Sequence, residues 1–177
     1  MLVDARTNEQ FDEAHVPGAI SANAGDTGFA TKVAQVVSTD TELIVVAGSE
    51  DYELAAAELL GAIGLTVSGF LAGGMTAWRS EDRPVARVPT VTAEHLGYPE
   101  LEGTLILDVR GEDEYARGHV EGALNIPYAD LPGRFSELPR DRPIATLCSG
   151  GKRSGLAASL LQREGFDQVI HVTDGAP

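Results

Sequence analysis

The sequence predicts an α/β fold in two domains, each a mostly parallel sheet flanked by helices. Two observations predict it. The chain repeats itself, and inside each copy short apolar strands alternate with helix-length segments. Strand, helix and strand in so few residues favour parallel pairing through crossover connections.

The repeat is read directly from the residues. Val3 to Ala19, VDARTNEQFDEAHVPGA, matches Leu107 to Ala123, LDVRGEDEYARGHVEGA. Asp4 falls on Asp108, Arg6 on Arg110, His15 on His119 and Gly18 on Gly122. The offset of 104 then drops to 101, because the first copy holds three extra residues after Ile20. From there Leu43 to Gly64 lies over Ile144 to Gly165. The first domain is assigned to residues 1–84 and the second to 85–177, joined near Ser80 to Thr90, whose prolines and charges suit a linker.

In the second copy Gly103 to Arg110 and Arg142 to Cys148 read as buried strands, short apolar runs bounded by Gly, Pro and charge. Ser154 to Gly165 reads as a helix with Leu156, Ala157, Leu160 and Leu161 on one face and Gly165 as its stop. Asp167 to Val172 returns as a strand. Glu112 to Glu114 starts a short helix, where acids suit the dipole, and Trp78 is expected in the core. Both ends look clipped. Pro89 to Leu96 has no counterpart in the first copy, and the first copy's closing LAGGMTAW is shortened in the second to VTDGAP. A C-terminally truncated second domain is therefore expected.

Composition narrows the partners. With 27 Asp and Glu against 13 Lys and Arg, the net charge of −14 argues against nucleic acid and against anionic membrane. No apolar run approaches the ~20 residues of a membrane span, and Met1 leads into LVDAR without a signal-peptide pattern. Cys148 is the only cysteine and cannot form an internal disulfide, so a cytoplasmic setting is expected.

That cysteine opens CSGGKRS, Cys148 to Ser154, between a buried strand and a helix. Backbone N–H groups curling at such a turn form an anion nest, and the helix N-terminus adds partial positive charge. Gly150 and Gly151 can supply positive φ for the curl, and Lys152 and Arg153 add full charges. Such surroundings favour a thiolate, the nucleophilic form. Cations are disfavoured at a helix N-terminus unless an anion is present, so Lys152 and Arg153 read as anion binders. Asp108, Arg110 and His119 recur as Asp4, Arg6 and His15 in the copy that lacks the cysteine, which argues for structural roles: an ion pair or a loop anchor for the first two, a hydrogen bond rather than general base for the histidine. His95 and His171 have no ligand spacing, and a metal site is not expected.

CSGGKRS after a buried strand, with LDVRGEDEYARGHVEGALNIP upstream, resembles the rhodanese, or thiosulfate sulfurtransferase, domain, and the resemblance covers nearly the whole chain as a pair. It implies that Cys148 is the nucleophile and that Ser149, Gly150, Gly151, Lys152, Arg153 and Ser154 form the substrate loop. It implies a two-step transfer, in which Cys148 takes the sulfane sulfur of thiosulfate or a persulfide and passes it to cyanide or a thiol. No metal or organic cofactor is implied. Gly28 to Val37 and Gly69 to Trp78 further resemble the first rhodanese repeat of bacterial persulfide dioxygenase fusions. That resemblance implies a low-molecular-weight persulfide donor and a dioxygenase partner. Two other readings stand beside this one: a non-catalytic sulfur carrier or sensor, and phosphatase or arsenate reductase chemistry, for which family loops are one residue longer. The first copy sets Ala47 in the place of Cys148 and acids in the loop behind it, so that domain is expected to be catalytically inert.

Overall fold

The computed structural model describes residues 1–175. The chain divides into two compact units, Met1–Arg87 and Val88–Pro177. The first unit runs β1 (Leu2–Asp4), α1 (Asn8–Glu13), β2 (Ile20–Ser21), α2 (Phe29–Val36), β3 (Glu42–Val46), α3 (Glu50–Gly61), β4 (Thr66–Phe70) and α4 (Gly74–Ser80). Its sheet has the order β2-β1-β3-β4, and every pairing is parallel. Val3, Ile20, Leu43 and Val45 are fully buried, as short apolar strands between crossover helices must be. Thr7 starts α1 with a capping box, its hydroxyl accepting from the Gln10 amide while the Gln10 side chain takes the Thr7 amide.

The second unit runs β5 (Thr90–Val91), β6 (Leu105–Asp108), α5 (Glu112–Arg117), β7 (Leu124–Asn125), α6 (Leu131–Arg134), β8 (Ile144–Cys148), α7 (Lys152–Arg163) and β9 (Val169–Gly175), with 3-10 turns at Ala93–Gly97, Pro99–Leu101 and Phe135–Glu137. The sheet order is β5-β9-β8-β6-β7, again wholly parallel. The two sheets match strand for strand along the repeat, except that β5 has no counterpart in the first unit. Both units are therefore α/β domains with parallel sheets flanked by helices.

Three elements differ from the sequence expectation. Helix α7 begins two residues early, at Lys152, and Ser154 to Leu161 are buried at every position instead of along one face. Serine, glycine and alanine leave little side chain in the way, so neighbouring backbone closes over the helix. Strand β9 continues through Thr173 to Gly175, where Gly175 pairs with Cys148; the last two residues of VTDGAP lie outside the described residues. Part of the expected linker is held to the first unit. Ala86 pairs antiparallel with His15, its amide and carbonyl both engaged at 2.9 and 3.0 Å. Trp78 is half-buried instead of in the core, its Nε1 donating to the Pro84 carbonyl at 2.8 Å with the Arg83 guanidinium over the ring.

Candidate active site

Strand β8 is apolar or hydroxyl-bearing along its length and buried at all five positions, so it delivers Cys148 to the end of the sheet with the side chain 1% exposed. The chain must then reverse into α7 within three residues. Gly151 makes that possible with φ +77, a left-handed conformation that costs glycine nothing. A Cβ on Gly151 would overlap the Thr173 carbonyl oxygen of β9, so the position also needs the missing side chain. Gly150 does not share this constraint: its φ lies outside the left-handed region, and a Cβ there would meet nothing within 4 Å.

The sulfur faces the first turn of α7. The Ser154 amide donates to Cys148 Sγ at 3.4 Å, and Ser154 Oγ lies 3.3 Å from the same sulfur. Ser154 Oγ also donates to the Val172 carbonyl at 3.0 Å, which anchors it between the helix and β9. Loop residues Ser149 and Gly150 are exposed, as is Lys152. The thiol is thus sheathed while the turn above it is open to a small ligand.

Arg153 is held in place by partners of its own. Its guanidinium forms a two-pronged pair with Glu114 of α5, at 2.5 and 3.0 Å, and donates to Ser149 Oγ at 2.8 Å. The hydrogen bond to Glu114 raises the Arg153 pKa above its ordinary value, partly opposed by burial, and the nearby Cys148 adds to the rise. Conversely, the hydrogen bond from Arg153 lowers the Glu114 carboxyl below the usual carboxylate range. Burial raises the Tyr128 hydroxyl, with Arg153 close enough to pull it back. Cations at a helix N-terminus need an anion beside them; for Arg153 the chain supplies one itself, Glu114, 39 residues upstream.

The residues expected to be structural form a frame under this loop. Asp108 is fully buried and takes Arg110 Nη2 at 2.6 Å and Nε at 3.0 Å, while Nη2 also reaches the Gly118 carbonyl at 2.8 Å. Asp108 is the first cause of the raised Arg110 pKa. His119 Nδ1 donates to the Tyr115 carbonyl at 2.9 Å and stacks on the Tyr115 ring at 3.8 Å. The first unit repeats the scheme with Arg6 on Asp4 and His15 on Phe11.

Two residues at the loop carry no strong sequence signal. Glu114 sits in an acidic run at a helix start, and nothing in its neighbours points at Arg153. His171 has no ligand spacing, yet it is buried on β9 and its Nε2 donates to the Gly151 carbonyl at 2.8 Å. Its one sequence signal was a polar residue inside an apolar strand.

In the first unit the matching place is a cavity of about 590 Å3 bordered by Ala47, Glu53, Gln10 and Phe70. The Ala47 amide donates to Glu53 Oε1 at 3.4 Å, so a carboxylate of the protein itself occupies the turn where the second unit has Ser154. No thiol is present there, and the local charge is negative.

Each unit is thus a small parallel α/β domain built around a strand-to-helix turn, with a sheathed cysteine at that turn in the second. The chain belongs to the Rhodanese-like domain family, which matches residues 1–81 and 92–176. A sulfurtransferase of Allochromatium vinosum is 34% identical over 76 residues, 43% of this chain and 71% of that protein. The thiosulfate sulfurtransferase GlpE of Shewanella oneidensis is 32% identical over 43% of this chain and 75% of its own. A thiosulfate sulfurtransferase of Azotobacter vinelandii is 29% identical over 63% of this chain, and the match spans 56% of that protein's length. Three other curated relatives, among them the putative sulfur carrier protein YrkF of Bacillus subtilis, are matched over only 29% to 40% of their lengths. A crystal structure of thiosulfate sulfurtransferase from Pseudomonas aeruginosa aligns with 98% of this chain and 37% of its own, at 23% identity and a TM-score of 0.44.

Proposed function

We propose that the second unit is a sulfurtransferase that carries a sulfane sulfur on Cys148. The observation that carries the reading is the sulfur at the first turn of α7, receiving the Ser154 amide, with Arg153 donating to Ser149 of the same loop. Cys148 thiolate attacks the outer sulfur of thiosulfate; the S–S bond forms as the sulfur–sulfur bond of the donor breaks, and sulfite leaves with the electron pair. A low-molecular-weight persulfide reacts the same way and releases its thiolate. The Cys148 persulfide then gives its outer sulfur to cyanide, yielding thiocyanate, or to an acceptor thiol, and the thiolate returns. Ser149, Gly150, Gly151, Lys152 and Arg153 hold the anionic end of the donor, and Ser154 steadies the sulfur.

The likeness of Gly28 to Val37 and Gly69 to Trp78 to dioxygenase-fused repeats supports a persulfide as the physiological donor and a persulfide dioxygenase as a partner in the same sulfur economy. A free cysteine as the reacting group supports a reducing, cytoplasmic setting. Among the described residues no helix is long and apolar enough to cross a membrane.

The test is steady-state transfer from thiosulfate, and separately from glutathione persulfide, with intact mass of the protein after donor alone. One added sulfur and turnover are expected, both lost in Cys148→Ala. An adduct without turnover would replace the enzyme by a carrier, and phosphate release or arsenate reduction in place of sulfur transfer would replace it by the other chemistry of such loops. Folded protein with neither adduct nor turnover refutes the reading.

A further inference from the structure

The hydroxyl beside the sulfur has one proton for two neighbours. Ser154 Oγ donates to the Val172 carbonyl at 3.0 Å and lies 3.3 Å from Cys148 Sγ. A carbonyl can only accept, so in the protonated thiol the S–H donates to Oγ and the O–H donates to Val172. A thiolate has no proton to give. Cys148 Sγ then competes with the carbonyl for the same O–H, and a hydrogen bond to an ionised acceptor is about twice as strong as one to a neutral acceptor. Cys148, Ser154 and Val172 are all buried, which sharpens that preference.

The frame around the hydroxyl is fixed. Thr146 Oγ1 donates to the Ser154 carbonyl at 3.0 Å and ties the first turn of α7 to β8. The Ser154 amide stays on the sulfur whichever way the hydroxyl turns, and Val172 lies where the ladder between β8 and β9 shifts register. Only the O–H bond has to rotate. The repeat ties both hydroxyls to the thiol. At the offset of 101, Thr146 and Ser154 fall on Val45 and Glu53 in the copy that has Ala47 for Cys148.

We propose that the Ser154 hydroxyl is a catalytic switch that favours unloading of the sulfur over its capture, a role that rests on the sulfurtransferase reading. In the resting thiolate the O–H points at Sγ. Once the sulfane sulfur is bonded, the negative charge lies on the outer sulfur. Sγ is then a neutral divalent sulfur and a weak acceptor, and the O–H turns back to Val172. In the second step the acceptor attacks the outer sulfur; the acceptor–sulfur bond forms as the S–S bond breaks, and the electron pair goes to Sγ. The O–H returns to that charge as it develops, a contact stronger in the transition state than in the persulfide. Capture draws charge away from Sγ, so the same hydrogen bond holds the nucleophile back.

The two half-reactions are measured separately by rapid mixing and intact mass: loading of the ionised thiol from thiosulfate, and unloading of the preformed persulfide to cyanide. In Ser154→Ala unloading should slow at least about tenfold, through loss of a hydrogen bond to a charged group, while loading holds or quickens. Ser154→Thr, which keeps the hydroxyl, should unload faster than Ser154→Ala. A loss of packing alone would slow both steps alike. Equal slowing, or unchanged unloading, would overturn the switch. The Val172 carbonyl 13C signal needs neither a Ser154 variant nor a sulfur donor. It should lie upfield in the ionised parent relative to Cys148→Ala, where no thiolate draws the hydroxyl away, and an identical signal refutes the switch. A chain that takes no sulfur from thiosulfate or glutathione persulfide overturns the sulfurtransferase reading and the unloading role with it. A chain that loads yet shows the identical signal overturns the switch alone.

Discussion

Two adjacent glycines should respond in opposite ways to the same substitution. Gly151→Ala places a Cβ at φ +77, where left-handed backbone costs an L-residue about 1–2 kcal/mol. The new atom would also overlap the Thr173 carbonyl, whose carbon lies 2.9 Å from the ideal Cβ position. Forcing extra volume into packed surroundings costs about 1–3 kcal/mol more. The sum, about 2–5 kcal/mol, is a large share of the stability of a small domain. Relief requires α7 to shift away from β9, which drags the Gly151 carbonyl from His171 and the Ser154 amide from Cys148. Gly150→Ala meets no left-handed backbone and no neighbour within 4 Å, so it should stay within about 0.5 kcal/mol of the parent. The assay is hydrogen exchange of the α7 amides in increasing urea, since the single tryptophan, Trp78, lies in the first unit. Sulfur transfer should fall with stability in Gly151→Ala and persist in Gly150→Ala. Equal exchange protection in the two variants would refute the argument from backbone and close approach.

Glu114→Gln removes the charge that Arg153 is paired with and leaves the guanidinium to the donor. A partly exposed pair of this kind is worth about 0.2–1 kcal/mol, so kcat/KM for dianionic thiosulfate should rise by a factor of about 1.4 to 5, chiefly through KM, with little change for a persulfide. The lowered Glu114 pKa sets the sign of the pH effect: its pairing is present above the ordinary carboxylate value of about 4.3 and is lost as pH falls through the lowered value. The ratio of the variant's thiosulfate kcat/KM to the parent's should therefore be flat from pH 6 to 8, and a slope there would count against the pairing. Asp108→Ala strands a buried arginine and should cost about 3–5 kcal/mol in the second unit; Asp4→Ala should do the same to the first through Arg6, read by Trp78 fluorescence in urea.

Much of this protein is local in origin and was legible in its residues. The repeat, the strands that carry Asp108 and Cys148, and a structural role for Asp108 and Arg110 follow from short-range pattern, because apolar periodicity and near-neighbour chemistry need no distant partner; that the first strand ends at Asp108 and not at Arg110 is a feature of the fold. The cysteine at a strand-to-helix turn was visible for the same reason, as was the loss of the thiol at Ala47. What surrounds the sulfur was decided by long-range packing. Glu114 meets Arg153 only because β6 and β8 are neighbours in the sheet, and His171 meets Gly151 only because β9 runs past the end of β8. Of two glycines identical in composition, one carries a positive φ and lies against β9 while the other is free of both constraints, a difference set by where Thr173 falls in space. Sequence pattern thus determined which elements form and where the thiol stands, while the tertiary structure determined its electrostatic company, since charges and carbonyls act through space and the order of strands is what brings them together.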